Sequence, residues 1–225
     1  MDITDTKMTP LEQAIGYLTG DQSTRPNTVD VVKALIAAEK QAKRENQSFT
    51  YEQLLGTWRL GFVSGIQKVN PSGPGKTAVK KPGKGRFLPT WMTVSITYGA
   101  PADLLDAGLL TPELTTEFSD NGLGAVRNQV RWAGLLLQLS GPTRYRKQAN
   151  ILSFDFLHVR AQAGKLRLYK APVRGGIEQS KAFVTQPLKE QAFFTFFVVT
   201  PTYLAARGKG GGLALWTKAV SSAQP

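Results

Sequence analysis

The side chains that most often carry out chemistry in proteins are scarce in this sequence. Its 225 residues contain a single histidine, His158, and no cysteine. A catalytic histidine needs a partner that orients it, and a zinc site needs several nitrogen or sulfur ligands. With one histidine and no thiol, neither arrangement is predicted, and we expect His158 to be a structural or surface residue. The lack of cysteine also excludes disulfides and fits a reducing compartment.

Aspartates are the remaining candidates for acid–base chemistry. Asp103 and Asp106 lie three residues apart on a predicted helical turn, and paired carboxylates can exchange protons with a substrate. Solvating the loop or capping the turn is the alternative role for this pair. Asp155 alternates with Phe154 and Phe156, so it points away from them. No active site and no metal site are predicted, and the sequence favours a non-enzymatic binding protein.

The segment GPGKT at 73–77 is similar to part of a phosphate-binding loop. That motif requires a glycine five residues before the glycine of Gly-Lys-Thr, and a helix directly after it. Asn70 occupies the glycine position, and Pro82 and Gly83 would interrupt the helix. Nucleotide binding is therefore not predicted.

The same segment belongs to a stretch, 70–89, that is rich in glycine, proline and basic residues and has no acidic residue. Such a composition buries too little apolar area to order itself, so it predicts a mobile loop. The loop either lies on an anionic surface or is kept soluble by its charge. Its candidate contacts with an anionic surface are Lys76, Lys80, Lys81, Lys84 and Arg86.

Large aromatic residues occur in nearly every predicted strand. In a small barrel they either fill the interior or line a cavity for a flat or polyisoprenoid ligand. The candidate lining residues are Phe62, Tyr98, Trp132, Leu136, Phe154, Phe156 and Tyr203. Aromatic and basic residues together can also bind nucleic acid, but here the basic residues cluster in one loop. No nucleic-acid partner is therefore expected.

Two helices are predicted to precede the strands. The segment TPLEQAIGYLTG carries a short apolar stripe that includes Ala14 and Leu18. After a break at DQSTRPN, Thr28 can cap a second helix that has Asp30 in its first turn and apolar residues at three-to-four spacing. We expect 1–50 to form a helical segment that packs on the remaining domain by its apolar side.

After Tyr51 the hydrophobic pattern alternates with period two, and Trp58, Leu60 and Phe62 share one predicted face. About eight strands are expected across 51–220, with a helical insertion at 100–124 whose turns fall near Ala102–Leu105 and Pro112–Thr116, and a disordered tail at 221–225. This pattern predicts a mainly β fold, a lipocalin-like antiparallel barrel with an N-terminal helical segment. The predicted strands are Leu55–Ser64, Thr90–Tyr98, Asn128–Ser140, Asn150–Arg160, Lys165–Lys170, Ala182–Thr185, Gln191–Thr200 and Gly212–Ala219.

The net charge of +12 is unevenly distributed, since residues 51–100 carry seven basic side chains and one acidic one. A folded cationic surface attracts nucleic acid, anionic lipid or acidic protein faces. The longest strongly apolar run, 192–199, is far shorter than the roughly 20 residues of a transmembrane helix. The N-terminus has neither a secretory nor a transit-peptide pattern. We therefore expect no transmembrane segment, and a chain that stays in the compartment where it is made.

The two ends of the predicted barrel resemble the plastid-lipid-associated protein family, also called fibrillins or plastoglobulins. LLGTWRLGFVSG at 54–65 matches the family's opening strand, with Gly56 and Trp58 as its signature. PTYLAARGKGGGLALWTK at 201–218 matches the closing hairpin, with Arg207 and Gly208 as its signature. Ala205 stands where the family has the Asp of Tyr-Leu-Asp, and one of the closing arginines is missing.

The resemblance implies a barrel that binds an apolar isoprenoid, pigment or lipid (a carotenoid, quinone or chlorophyll), or supports the assembly or photoprotection of photosynthetic complexes, or does both. It implies a peripheral protein on anionic thylakoid lipids, with photosystem or antenna proteins as partners. The location would be the cytoplasmic side of a cyanobacterial thylakoid, or the stroma or plastoglobules of a plastid. Two alternatives stay open: an assembly scaffold whose barrel has no ligand cavity, and an enzyme similar to the bilin lyases, some of which use lipocalin-like barrels.

Overall fold

The computed structural model describes residues 8–69, 79–106, 116, 123–164, 166–172 and 182–219. The described segments form three α-helices, two short 3₁₀ helices (Glu52–Leu54 and Lys147–Ala149) and eleven strands. The helices are α1 (Pro10–Thr19), α2 (Thr28–Arg44) and α3 (Pro101–Asp106). The strands are β1 (Gly56–Val69), β2 (Val79–Phe87), β3 (Met92–Gly99), β4 (Leu123–Trp132), β5 (Leu135–Arg146), β6 (Ile151–Phe154), β7 (His158–Ala163), β8 (Leu166–Pro172), β9 (Ala192–Val199), β10 (Tyr203–Gly208) and β11 (Leu213–Lys218).

Eight of these strands close into an antiparallel barrel. Their order is β4-β3-β1-β11-β10-β9-β6-β5, and β5 pairs back onto β4. Closure removes the exposed edges from the barrel itself, and β2 and β8 are left as edge strands outside it. The mainly β fold class, with a barrel of eight strands and N-terminal helices, is confirmed.

At one end of the barrel the strands separate and continue past it. Residues 56–59 of β1 pair with β3, whereas residues 62–69 pair with β2. In the same way, residues 143–146 of β5 pair with β6, whereas residues 135–140 pair with β7, which in turn carries β8. The far ends of β3, β4 and β5 therefore form, together with β7 and β8, an open sheet that we call the sheet extension.

A bulge in β1 assigns its side chains to two different cores. Trp58 and Leu60 face the barrel interior, but the pairing with β11 shifts between Leu60 and Phe62. Phe62 consequently packs outside the barrel. Gly61 lies at the shift, where an added Cβ would collide with the side chain of Leu18 from α1. The predicted common face of Trp58, Leu60 and Phe62 is therefore wrong at Phe62.

The helices cover the outer face of the barrel beside β1, β2 and β9–β11. Val31 and Leu35 of α2 are fully buried against Phe62, Phe87 and apolar residues of β9–β11. Thr9 begins α1 with a capping box that includes Glu12. Asn27, and not Thr28, caps α2 by accepting the N–H of Val29 at 2.8 Å.

Several predicted strand bounds differ from the observed ones. The predicted strand 128–140 is two strands, since Ala133 and Gly134 adopt φ of 44° and 79° and form a tight turn. The predicted strand 150–160 breaks between β6 and β7, and residues 182–185 form a helical turn instead of a strand. Residues 79–87 are β2, not a mobile loop, because they pair with the edge of β1 that β3 leaves. Three predicted features lie outside the described residues: the segment 70–78 with Lys76, residues 112–115 of the predicted second helical turn, and the tail at 221–225.

Close packing between β2 and α2 depends on Gly85. A Cβ at this position would collide with the Phe62 ring and lie 2.9 Å from Cγ2 of Val32 and 3.0 Å from the carbonyl oxygen of Thr28. We expect Gly85→Ala to lower the free energy of unfolding by about 1–3 kcal/mol, as overpacking does in other cores. Urea denaturation measures this change.

Gly65 on the neighbouring strand is the matched control, since the nearest atom to its added Cβ is the Lys84 carbonyl oxygen at 3.6 Å. Gly65→Ala should change the free energy of unfolding by less than about 1 kcal/mol. Equal losses in the two variants would contradict the packing argument.

Candidate functional site

One end of the barrel interior is closed by Trp58. Its side chain is fully buried, and its indole Nε1 donates a hydrogen bond to the Leu54 carbonyl at 2.7 Å. The Lys218 ammonium lies 4.0 Å from the ring centroid and donates to the Leu55 carbonyl at 2.8 Å. Gly56 has a φ of 109°, and a Cβ there would lie 2.6 Å from Nζ of Lys218. Gly56 therefore leaves room for the Lys218 side chain over the buried Trp58 ring.

The other two signature residues hold the closing hairpin against α2. The Arg207 guanidinium makes a two-pronged ion pair with Glu39 and donates to the Gly211 carbonyl at 2.6 Å. The Gly208 amide donates to the Gly212 carbonyl across the hairpin turn at 2.9 Å. Arg207 and Gly208 therefore stabilise the hairpin and its contact with α2.

The barrel interior is filled along much of its length by aromatic rings. Phe154 and Phe194 stack with centroids 5.3 Å apart, and Trp216 lies edge-on to Phe194 at 5.2 Å. Tyr98 meets Phe196 at 6.3 Å, and Phe156 lies beside Phe154. Tyr98, Phe154 and Phe156 are therefore the predicted lining residues that the structure brings together. Phe194, Phe196 and Trp216 belong to the same cluster but were not among the predicted lining residues. In AFFTFFVV at 192–199 the aromatic residues are adjacent, which hides that Phe194 and Phe196 point inward. Trp216 was assigned only to the closing hairpin.

Three tyrosines bring hydroxyl groups close to these rings. The Tyr51 hydroxyl donates to the Gly99 carbonyl at 2.7 Å and lies 3.2 Å from the Thr143 hydroxyl. Burial raises the pKa of Tyr51 to about 12, and it also raises the pKa of Tyr145 to about 12. Tyr98 is buried more deeply and its pKa is raised further. Its hydroxyl has no hydrogen-bond partner among the described residues.

The four other predicted lining residues lie elsewhere. Phe62 and Tyr203 belong to the outer core beneath the helices. Leu136 pairs with Arg131 and Gln162, on the face of β5 opposite to the interior. Trp132 is 54% exposed at the tip of β4, with its ring 6.2 Å from that of Trp91. Alternation within a strand could not place them, because the bulge and the strand splitting decide which face is enclosed.

The sheet extension continues the interior of the barrel as an exposed apolar surface. Its side chains alternate, and the face that follows Ile96 and Val126 outward from the barrel is apolar across four strands except at Asn128, which lies opposite Ile96 and Leu139. Leu135 and Leu137 remain 44% and 42% exposed on it. We call this surface the extension face; it consists of Met92, Val94, Val130, Trp132, Leu135, Leu137, Leu139, Val159, Ala161 and Ala163.

A second exposed feature is basic. Lys80, Lys81, Lys84 and Arg86 of β2 are all exposed, and Lys68 lies opposite Lys80 on β1. The described parts of these two strands contain no acidic residue. They form a ribbon of positive charge at the open end of the barrel.

The residues considered for catalysis or metal binding do not form a cluster. His158 begins β7, and the Asp155 carboxylate accepts the N–H of Phe156 at 2.8 Å. Asp103 of α3 lies against Gly99. In the described ranges, no group of three His, Asp or Glu side chains could hold a metal ion. No helix in the described part of the chain is long and apolar enough to cross a bilayer.

The raised pKa values of the buried tyrosines predict a loss of stability at alkaline pH. A phenol whose pKa is higher in the folded state stabilises that state while both states are protonated. This contribution is lost as pH rises from about 10, the pKa in the unfolded chain, through about 12. We therefore expect the free energy of unfolding to fall over this range, as measured by urea denaturation at each pH.

Tyr51→Phe tests how much Tyr51 contributes to this alkaline loss of stability. It removes one ionising group, so the alkaline slope should become shallower, and it removes a hydrogen bond worth about 1 kcal/mol at neutral pH. The control is Tyr169→Phe, because Tyr169 is 55% exposed, and it should leave neutral-pH stability within about 0.5 kcal/mol. An unchanged slope in Tyr51→Phe would contradict the assignment.

No protein-family model and no curated protein matches this chain. Membership of the plastid-lipid-associated family therefore stays a prediction from the opening strand and the closing hairpin.

Proposed function

We propose that this protein binds an apolar isoprenoid, pigment or lipid, such as a carotenoid, quinone or chlorophyll, on the extension face at the open end of its barrel. The observation that carries the proposal is the exposure of Trp132, Leu135 and Leu137 on a surface continuous with the aromatic interior. Contiguous exposed apolar surfaces are unfavourable in water and usually mark an interaction site.

The two faces of the sheet extension differ in polarity, which favours an apolar ligand on one face only. Leu135 and Leu137 of β5 alternate with Leu136 and Gln138, and the neighbouring strands place Arg131, Gln129 and Arg160 on that second face. An apolar molecule therefore gains more burial on the extension face than on the polar face behind it.

The basic ribbon supports attachment of the protein to an anionic membrane surface, where such a ligand would be collected. Each Lys or Arg near an anionic surface contributes about 1 kcal/mol of attraction. Reversible, peripheral attachment follows from a few such contacts. The thylakoid as that membrane, and the roles in assembly or photoprotection of photosynthetic complexes, rest on the family resemblance alone.

Substitution on β5 tests the ligand proposal with a control at the next residue. We expect Leu137→Gln to weaken binding of β-carotene or plastoquinone by about five- to tenfold, since it removes part of a leucine's apolar contact. Leu136→Gln makes the same chemical change on the opposite face and should stay within about twofold. Quenching of tryptophan fluorescence by each ligand measures binding. Wild-type protein that binds neither ligand, or equal loss in both variants, would refute the proposal.

Charge removal tests the membrane proposal. Replacing Lys80, Lys81, Lys84 and Arg86 with glutamine should reduce binding to phosphatidylglycerol vesicles by about a hundredfold or more, given about fivefold for each contact. Replacing Lys33, Lys40, Lys43 and Arg44, four exposed basic residues of α2, removes the same charge elsewhere and should have a much smaller effect. Co-sedimentation at low and high salt measures binding. Equal losses would show that net charge, and not the ribbon, governs attachment.

A scaffold for protein assembly is the second candidate function. Its supporting observation is the extent of exposed apolar surface on β8, where Leu166 and Tyr169 are 66% and 55% exposed and pair with Ala163 and Ala161. Leu166 and Tyr169 therefore extend the apolar surface beyond the extension face, onto β8. Stable isolation of the protein with a photosystem or antenna protein, lost in Leu166→Gln and retained in Leu136→Gln, would favour this function over ligand binding.

A further inference from the structure

The outer face of the barrel wall carries a cavity that is separate from the extension face. It has a volume of about 630 Å³ and opens between the C-terminal end of α1 and the outward side of β1, β3 and β4. This volume is within the range of small-molecule pockets. Its polar lining includes Arg59, Arg131, Thr93, Ser95, Gln129 and Thr217.

Strand register places the two arginines on one side of the sheet. Arg59 lies opposite Ser95, which lies opposite Gln129, and Thr93 lies opposite Arg131 in the next outward row. The Cα atoms of Arg59 and Arg131 are thus two strand spacings and two residues apart, about 12 Å. Across this distance the guanidinium groups of two extended arginine side chains can both reach one anion. The hydroxyls of Thr93 and Ser95 lie on β3 between them.

The positive charge of the cavity is not balanced by its own lining. Its lining contains no Asp or Glu, and no ion pair of Arg59 or Arg131 occurs among the residues that the structure describes. The rim residue Thr19 donates a hydrogen bond to Asp21 at 2.6 Å, but Asp21 does not line the cavity. Arg207 provides the contrast, since Glu39 occupies both prongs of its guanidinium.

We propose that this cavity binds a hydroxylated molecule that carries a phosphate or sulfonate group, either a free sugar phosphate or the head group of an anionic lipid. Guanidinium groups bind such oxyanions through two parallel N–H···O bonds. The cavity is large enough for more than an inorganic ion, and the hydroxyl and amide groups of its wall can hydrogen-bond to a polyol. The site is on the side of the sheet opposite to the extension face, so it does not depend on apolar ligand binding.

Calorimetric titration with glucose 6-phosphate tests the free form of the ligand. We expect saturable binding at one site, weakened about tenfold or more in Arg59→Gln and in Arg131→Gln, because each removes a charge-assisted hydrogen-bond pair. Arg160→Gln is the matched control: it lies on the same outward face of the sheet, on β7, and does not line the cavity. It should stay within about twofold of wild type. Thermal melting confirms that each variant is folded.

Vesicle binding tests the lipid form. The titration uses phosphatidylglycerol vesicles and protein whose four basic β2 residues have been replaced with glutamine, so that the binding that persists reports the cavity. Loss of this binding in Arg59→Gln and Arg131→Gln, with no effect of glucose 6-phosphate, would assign the site to a lipid head group. If Arg59→Gln and Arg131→Gln lose glucose 6-phosphate binding but keep vesicle binding, the site is assigned to a soluble ligand. If neither ligand binds, or if Arg160→Gln weakens binding as much as the two cavity variants, the proposal is wrong.

Discussion

The bulge at Gly61 in β1 is the local feature on which the arrangement of both cores depends. Before it, Trp58 and Leu60 face the barrel interior; after it, Phe62 faces the helices. Without the extra residue, Phe62 would point into an interior already occupied by aromatic rings, and the surface beneath α2 would lose its central ring. Leu18 of α1 lies directly over Gly61, so a side chain at this position would push α1 away. One residue without a side chain therefore sets both the filling of the barrel and the docking of the helices.

The sharing of β1 and β5 between successive partners has a comparable effect on the surface. Because β2 replaces β3 along β1, and β7 replaces β6 along β5, one end of the barrel opens and its wall continues as a free sheet. The same alternation that fills the barrel then leaves an apolar face and a basic, hydroxyl-bearing face exposed on opposite sides. The two proposed sites use these two faces, and each depends on the strand register more than on any single side chain.

Much of the fold was accessible from the sequence, and the differences have identifiable causes. The period-two pattern predicted a barrel of the right class, and the apolar spacing in 28–44 predicted α2, because local periodicity survives in any packing arrangement. The turn at Ala133–Gly134 was missed because alanine rarely adopts a φ of 44°, so the dipeptide does not have the usual turn composition. The strand at 79–87 was missed because Pro and Gly are rare in strands; β2 is tolerated there since it pairs with β1 on one side only along the described path.

The residues of the candidate sites were also predictable from the sequence only in part. The sequence by itself determined which residues are apolar, aromatic or basic, and it placed Tyr98, Phe154 and Phe156 inside a barrel. Only the tertiary structure decided that Phe62 and Tyr203 lie under the helices, that Leu136 faces outward, and that Trp132 is exposed at the tip of a hairpin. It also brought Arg59 and Arg131, 72 positions apart in the chain, to one side of the sheet. The physical reason is that alternation defines two faces for every strand, whereas closure, bulges and strand splitting determine which of those faces becomes enclosed.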